Sequence, residues 1–238
     1  DGGFHPGVPG AMVREAATRL PDLQQARVYS ALRVDWGSMR FSRSTVQEMV
    51  EAFRHYSTRV FRAGRWVEVG FRGLPRYDFG PPYGRITCSP MWLEELSALP
   101  EAVPALRDTG FYVSGFNPVM DNLVLPLIVL GTRLGRWLDK PMGHLLEWGL
   151  ARSRPPFGVA LVLDGRSADG AALRLRLDHE DAYVLTAIPP VACLLQYLDE
   201  ARPGLWHQAQ YVETGRFFAD MGDMGLPLQV EGPAQVSA

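Results

Sequence analysis

The residues best suited to chemistry lie in one short stretch, Arg76-Tyr77-Asp78-Phe79-Gly80-Pro81-Pro82-Tyr83-Gly84-Arg85. Two guanidinium groups bracket two phenols and a carboxylate on a frame of glycine and proline turns. Arginine forks match carboxylates bidentately, so such a stretch can form the wall of an anion pocket. The same residues equally make a structural turn in which Arg76 pairs with Asp78. His5, in Gly3-Phe4-His5-Pro6-Gly7 ahead of a helix, either faces a ligand at the helix N-terminus or sits in a solvent-exposed turn. His179-Glu180-Asp181 marks a strand-to-helix corner, where acids suit the positive end of a helix and capping is the expected role. Arg107-Asp108-Thr109-Gly110 reads as a loop with an internal ion pair. His55, His144 and His207 have no partners at ligand spacing and read as structural.

Several chemistries have no foothold in the sequence. It contains no G-x-G-x-x-G, no G-x-x-x-x-G-K-[ST], no H-E-x-x-H, no C-x-x-C and no G-x-S-x-G, so neither a dinucleotide fingerprint nor a zinc or nucleophile-elbow motif is present. Two cysteines, Cys88 and Cys193, are too few for a disulfide scaffold and read as buried free thiols. A net charge of −2 gives no global field for nucleic acid. No segment resembles a signal peptide, and the expected location is cytoplasmic. The sequence begins at Asp1 inside a glycine-rich turn, which suggests a fragment with further sequence upstream.

The elements that position these residues follow from periodicity. Leu173, Leu175 and Leu177 alternate with Arg174, Arg176 and Asp178, a strand with one buried face. Beyond the 179–181 corner, an apolar helix is expected to start near Thr186 or Ala187, with Pro189-Pro190 in its first turn. Val191, Leu194, Leu195 and Leu198 would be its inward face, making it a central packing element. Upstream, a helix over about 9–20 precedes a strand over 26–34, with Val28, Leu32 and Val34 facing one way. Ser42 or Ser44 caps a helix to about His55, and a hairpin over 59–71 turns at Ala63-Gly64 with Val67, Val69 and Phe71 inward. A helix over 91–98 carries Glu94 and Glu95 at its positive end. A strand over 111–116 leads to a helix opened by Asn117-Pro118. Its apolar run 123–130 reads as core, although this run and the cations Arg133, Arg136 and Lys140 also suit a dimer or membrane surface. A helix over 142–150 and a hairpin pairing 159–164 with 173–178 follow. After a loop or edge strand over 204–212, an amphipathic helix over 214–224 comes before a disordered tail, 232–238. Six or seven strands without strict βαβ alternation argue for a single α+β domain over 1–231, with a mixed, largely antiparallel sheet and helices over one face.

The order of these turns carries a resemblance. Gly3-Phe4-His5-Pro6-Gly7-Val8-Pro9, then 77–84, then Asp108-Thr109-Gly110-Phe111-Tyr112, is similar to saccharopine dehydrogenase-like oxidoreductases. So are His179-Glu180-Asp181, Thr186-Ala187, Cys193 to Leu198 and Gly204-Leu205-Trp206. The resemblance covers residues 1 to about 225. It implies the family's second domain, with a fold like the C-terminal domain of glyceraldehyde-3-phosphate dehydrogenase, that holds substrate and often forms the homodimer. An upstream Rossmann domain would bind NAD(P), and this chain alone would bind none and be inactive. Phe71 to Tyr77 is similar to the family's Gly-Thr-Leu-Arg-Tyr turn and makes Arg76 a substrate-carboxylate ligand. The resemblance further implies Arg85 as a second such ligand, with Tyr77, Asp78 and His5 lining the small-molecule cleft. The contrasting reading is a non-catalytic module that keeps the fold and uses residues 119–150 to dimerise or to sit on a membrane surface.

Overall fold

In chain order, a computed structural model of the protein, which describes residues 2–232, shows α1 (Val8–Arg19), β1 (Leu23–Arg33), α2 (Arg43–Arg54), β2 (Arg59–Arg62), β3 (Arg65–Glu68), β4 (Arg76–Asp78), β5 (Arg85–Thr87) and β6 (Ser89–Met91). Then come α3 (Leu99–Ala102), β7 (Asp108–Ser114), α4 (Leu125–Leu134), α5 (Asp139–Leu150), β8 (Gly158–Ser167), β9 (Ala172–His179), α6 (Ala182–Asp199), α7 (Gln208–Tyr211), α8 (Thr214–Asp223) and β10 (Gln229–Glu231). The expected tail falls outside the described residues except for Gly232.

The fold is α+β. The main sheet runs β10-β9-β8-β1-β7-β2-β3, with β6 also on β7. Every pairing is antiparallel except β1 with β7. Period-two alternation sorts the side chains onto two faces. Val28, Phe111, Leu161, Leu163, Leu173, Leu175 and Leu177 point to a core closed by α1, α6, α7 and α8. Tyr29, Ala31, Tyr112, Ala160 and Val162 point the other way, into a smaller aromatic core with Phe79 and Tyr83. The central strands are thus buried on both sides. Tyr29, on the face opposite Val28, is buried because Tyr77 of the β4–β5 hairpin stacks on it. A third core, of Val50, Met120, Val124, Ile128, Leu146 and Leu150, joins α2, α4 and α5.

Local signals work where the expectation rests on one element. Ser42 caps α2 by accepting from the Thr45 N–H, and Ala63-Gly64 turns the β2–β3 hairpin with both residues at positive φ. Other expectations fail. The segment 91–98 is not a helix: Ser89–Met91 pairs with β7, and only a 3-10 turn, Glu94–Leu96, follows. Residues 208–211 of the expected loop are the short α7. Phe71 is exposed, although Val67 and Val69 do pack with Val60 against the smaller aromatic core.

The largest correction concerns α6. It starts at Ala182, where Asp181 Oδ1 accepts from the Tyr183 and Val184 N–H groups at 2.8 and 3.1 Å, so the prolines lie inside it. Each proline leaves a carbonyl one turn earlier without its usual donor. Leu185, Ile188, Pro189, Ala192 and Gln196 face the core; the expected inward residues Val191, Leu194, Leu195 and Leu198 face solvent. Only 28% of the helix is buried, so it lies on the core as an outer layer. By length and composition it is the one helix among the described residues that could span a membrane.

Candidate functional site

The β4–β5 hairpin is fastened to the sheet by its own turn chemistry. Asp78 Oδ1 accepts from the Gly80 N–H at 2.9 Å, and the Tyr83 and Gly84 N–H groups both donate to the Gly80 carbonyl. Gly80 and Gly84 supply positive φ at the two bends. Arg33, at the end of β1, donates to the Pro82 and Tyr83 carbonyls at 3.1 and 2.9 Å. Arg176 on β9 donates to the Phe79 carbonyl at 2.8 Å. The Tyr77 ring stacks on Tyr29 with centroids 4.1 Å apart, and Tyr29 stacks on Tyr112 at 5.2 Å. Asp78 is engaged by the turn and not by Arg76.

Opposite the hairpin, the loop after β7 turns into a π-helical turn, Met120–Val124, that runs on into α4. Asn117 Oδ1 accepts from the Met120 N–H at 2.8 Å, and its Nδ2 donates to the Gly149 carbonyl of α5 at 3.0 Å. A Cβ at Gly149 would come within 2.7 Å of the Met120 sulfur and 3.1 Å of the Val124 methyls, so a larger residue there would force Met120 to shift. Between hairpin, loop and the segment after α5 lies a cleft of about 680 Å³, a size that fits small-molecule sites.

Five arginines line it: Arg33, Arg76, Arg85, Arg152 and Arg154. Among the described residues, none of the five has a carboxylate within 4.0 Å. Arg33 is spent on the hairpin carbonyls. Arg152 lies over the Trp148 ring, 3.4 Å from its centroid, and donates to the Trp148 carbonyl. Ile86, Phe116, Pro118, Val119 and Pro155 supply apolar wall between the cations. The acid of the cleft is Asp121. Its Oδ2 accepts from the Ser114 hydroxyl and the Gly115 N–H at 3.3 and 3.2 Å. Burial pushes its carboxyl up to about 6; these hydrogen bonds and the Arg33 charge offset only part of that. Near neutrality Asp121 can change the charge of the cleft by one.

Of the residues expected at a site, the structure brings Arg76 and Arg85 onto this cleft. Tyr77 is half-buried beneath the hairpin, where burial pushes its phenol up. His5 does not line the cleft: its ring packs on Phe4 and Phe111, centroids 4.5 and 5.1 Å away, against the helix-covered core. Its Nε2 is buried without a hydrogen-bond partner among the described residues, and burial pushes the imidazole down to about 3, keeping it neutral. The expected pair inside 107–110 is also rearranged, because Asp108 takes a bidentate bond from Arg27 on β1 at 2.8 and 2.9 Å. Arg33, Arg152, Arg154 and Asp121 were not anticipated. A trace of Asp121 is visible in the sequence: Asp121-Asn122 interrupts an otherwise apolar helix start.

A second polar feature lies beneath α1. Glu95, almost wholly buried, accepts from the Gly10 N–H at 3.0 Å, capping α1 rather than its own helix. Burial raises its carboxyl to about 7, and the other oxygen, Oε2, has no hydrogen-bond partner among the described residues. Nearby, Gln208 clamps Gly3 through both amide atoms, at 3.1 and 3.0 Å. Cys88 and Cys193 are free thiols, the first buried and the second half-buried, and the described residues contain no cluster of three or more His, Cys, Asp or Glu fit for a metal.

No protein-family model matches the chain, and comparison with curated proteins finds no match. Among solved structures, it is similar to apo histidine-tagged saccharopine dehydrogenase (L-Glu forming) from Saccharomyces cerevisiae. The identity is 14% and the TM-score 0.55, over 98% of this chain and 73% of that one. At that identity the likeness is one of fold, so the chain has a distant saccharopine dehydrogenase-like fold.

Proposed function

We propose that this chain is the substrate-binding and dimerisation domain of an NAD(P)-dependent, saccharopine dehydrogenase-like oxidoreductase, and that its arginine cleft holds the carboxylates of an anionic small molecule. The observation that carries the reading is the cleft of about 680 Å³ with five arginines, none of which has a carboxylate within 4.0 Å among the described residues. Arg76 and Arg85 on the hairpin and Arg154 across from them are the ligands, Arg33 fixes the hairpin, and the apolar wall takes the carbon skeleton. The chain has no strand–glycine-loop–helix fingerprint, so the residues present do not fit a dinucleotide. The cofactor belongs to a Rossmann domain upstream, where nicotinamide would exchange hydride with a C–N or C–O centre of the bound substrate. The setting we propose is a cytoplasmic homodimer. The neighbour's fold supports this reading.

Calorimetric titration with glutarate tests it, with the uncharged diamide as control. The chain is expected to bind glutarate and not glutaramide, with affinity falling as salt rises. Arg85→Ala should weaken binding roughly threefold to tenfold, as for loss of one solvent-accessible charge-assisted contact. Absence of glutarate binding at millimolar concentration, or turnover of a nicotinamide-linked substrate by this chain alone, would overturn the reading.

A further inference from the structure

The π-helical turn and α4 form one continuous helical run from Met120 to Leu134, and its two sides differ sharply. Met120, Val124 and Ile128 are sealed against Val50, Leu146 and Leu150. Val119, Leu123, Leu127, Leu130, Leu134 and, just beyond, Trp137 are between 37% and 76% exposed. These positions recur every three or four residues, so they form one stripe along the helix. Pro126 lies within it and adds apolar surface. Such a run of bare leucines ending in a bare tryptophan is unusual for a surface that faces only water.

What the stripe meets is indicated by its charge border. Arg133, Arg136 and Lys140 are exposed beside its C-terminal half, and Arg152 and Arg154 stand exposed at the cleft that Val119 also lines. The acids of the region are turned elsewhere. Asp121 points to Ser114 and Gly115, Asp139 is held by Arg54, and Glu51 is shared between Arg54 and, at 4.0 Å, Arg136. Glu147 on α5 and Glu48 on α2 are the exposed exceptions. The bare face of α6 is bordered differently: Arg202, exposed nearby, is laid over the Tyr211 and Trp206 rings, and both ends of the helix are acidic. It begins at Glu180-Asp181 and ends at Asp199-Glu200, and the nearby Arg216 is paired with Asp199 and Asp220. An apolar stripe with an interfacial tryptophan and flanking Arg and Lys is the pattern of a helix lying in the headgroup layer of an anionic bilayer. Its long cationic side chains can reach the phosphates while the leucines enter the acyl boundary.

We infer that the α4 face, from Val119 to Trp137, docks this protein on the surface of an anionic membrane. The arginine cleft opens at one end of that stripe, so docking places the cleft mouth beside the lipid.

The test is sedimentation with vesicles of phosphatidylcholine, alone or with about 30 mol % phosphatidylglycerol. The chain is expected to pellet with the anionic vesicles and not with the neutral ones, and to be released as salt rises to about 0.5 M. Leu127→Glu with Leu130→Glu, at exposed positions and checked for an unchanged melting temperature, should reduce binding at least roughly tenfold. Arg133→Gln with Lys140→Gln should weaken it with less salt dependence, while Leu194→Glu with Leu195→Glu on α6 should leave it unchanged. Failure to pellet with anionic vesicles would overturn the inference, as would binding untouched by the α4 pair. A dimer that ignores vesicles and is dissolved by the α4 pair would assign the stripe to a second copy instead. None of these outcomes depends on glutarate binding.

Discussion

Replacing Asp121 by asparagine should separate the pH dependence of the cleft from its charge recognition. In the folded chain the Asp121 carboxyl titrates at about 6 because it is buried, against an ordinary value of 3.8. Between these two pH values the folded state holds a proton that the unfolded chain has released. Stability is therefore greatest below about 3.8 and falls as pH rises through 6. At about 1.4 kcal/mol per unit, the upper bound on the cost at neutral pH is roughly 3 kcal/mol. The substituted amide would keep an oxygen for the Ser114 hydroxyl and Gly115 N–H and lose the charge, so a gain of about 1–3 kcal/mol is expected near pH 7.5 and none in acid. The same ionisation acts on a bound anion. At roughly 7 Å and an effective dielectric of about 20, the repulsion is about 2 kcal/mol, some 30-fold in affinity. Propane-1,3-disulfonate is the suitable probe, because sulfonates stay ionised across the range. Calorimetry near pH 5 and near pH 7.5 should show tighter binding at the lower pH for the native chain and equal binding for Asp121→Asn. Glu95 also titrates here, at about 7, but it lies under α1 outside the cleft and is common to both proteins. Equal affinity at both pH values for the native chain, or a pH dependence that survives the substitution, would refute the assignment of Asp121 as the titrating group.

Two further expectations concern stability. Glu95 keeps its proton to about 7 in the folded chain against 4.5 ordinarily, so stability falls as pH rises from 4.5 through 7. Glu95→Gln should flatten that fall by up to roughly 3 kcal/mol, and urea midpoints that run parallel for the two proteins would count against it. Ala63 holds φ +50° at the first central position of the β2–β3 turn. Ala63→Asn should raise stability by about 0.5–1 kcal/mol, since asparagine tolerates the left-handed region, and a lowered melting temperature would contradict this reading of the turn.

How much of this could be read from the sequence depends on the range of the interaction. The alternation at Leu173, Leu175 and Leu177, the Ser42 cap and the Ala63-Gly64 turn are settled within a few residues, and each folds as its local chemistry dictates. Glu95 was misplaced because acids near a helix start suit that helix, whereas its carboxylate reaches α1, 85 residues away in sequence. The cleft is harder still. Arg76 and Arg85 stand out in a strange turn, but Arg33 joins them from the end of β1, and Arg152 and Arg154 from the connection into β8. Only the sheet order, with β7 and β8 both on β1, brings these segments together.

Helices α4 and α6 were both expected to be core because they are apolar, and both present much of that apolar surface to solvent. Periodicity reports that a side of a helix avoids water; it does not report what the side meets. In α6, the prolines suggested a late start and so a wrong face. Starting at the Asp181 cap instead turns Leu185, Ile188 and Ala192 inward and leaves Leu194 and Leu198 outside. The two bare faces are both apolar and differ in border, cationic along α4 and acidic at both ends of α6, where Arg202 is laid over Tyr211 and Trp206. If burial of apolar area alone governed association, both would meet the same kind of partner. Electrostatic complementarity separates them: like charge across an interface is costly and opposite charge steers encounter. The lipid surface we propose would therefore suit α4 better than α6, and the paired glutamate substitutions on the two helices measure that difference directly.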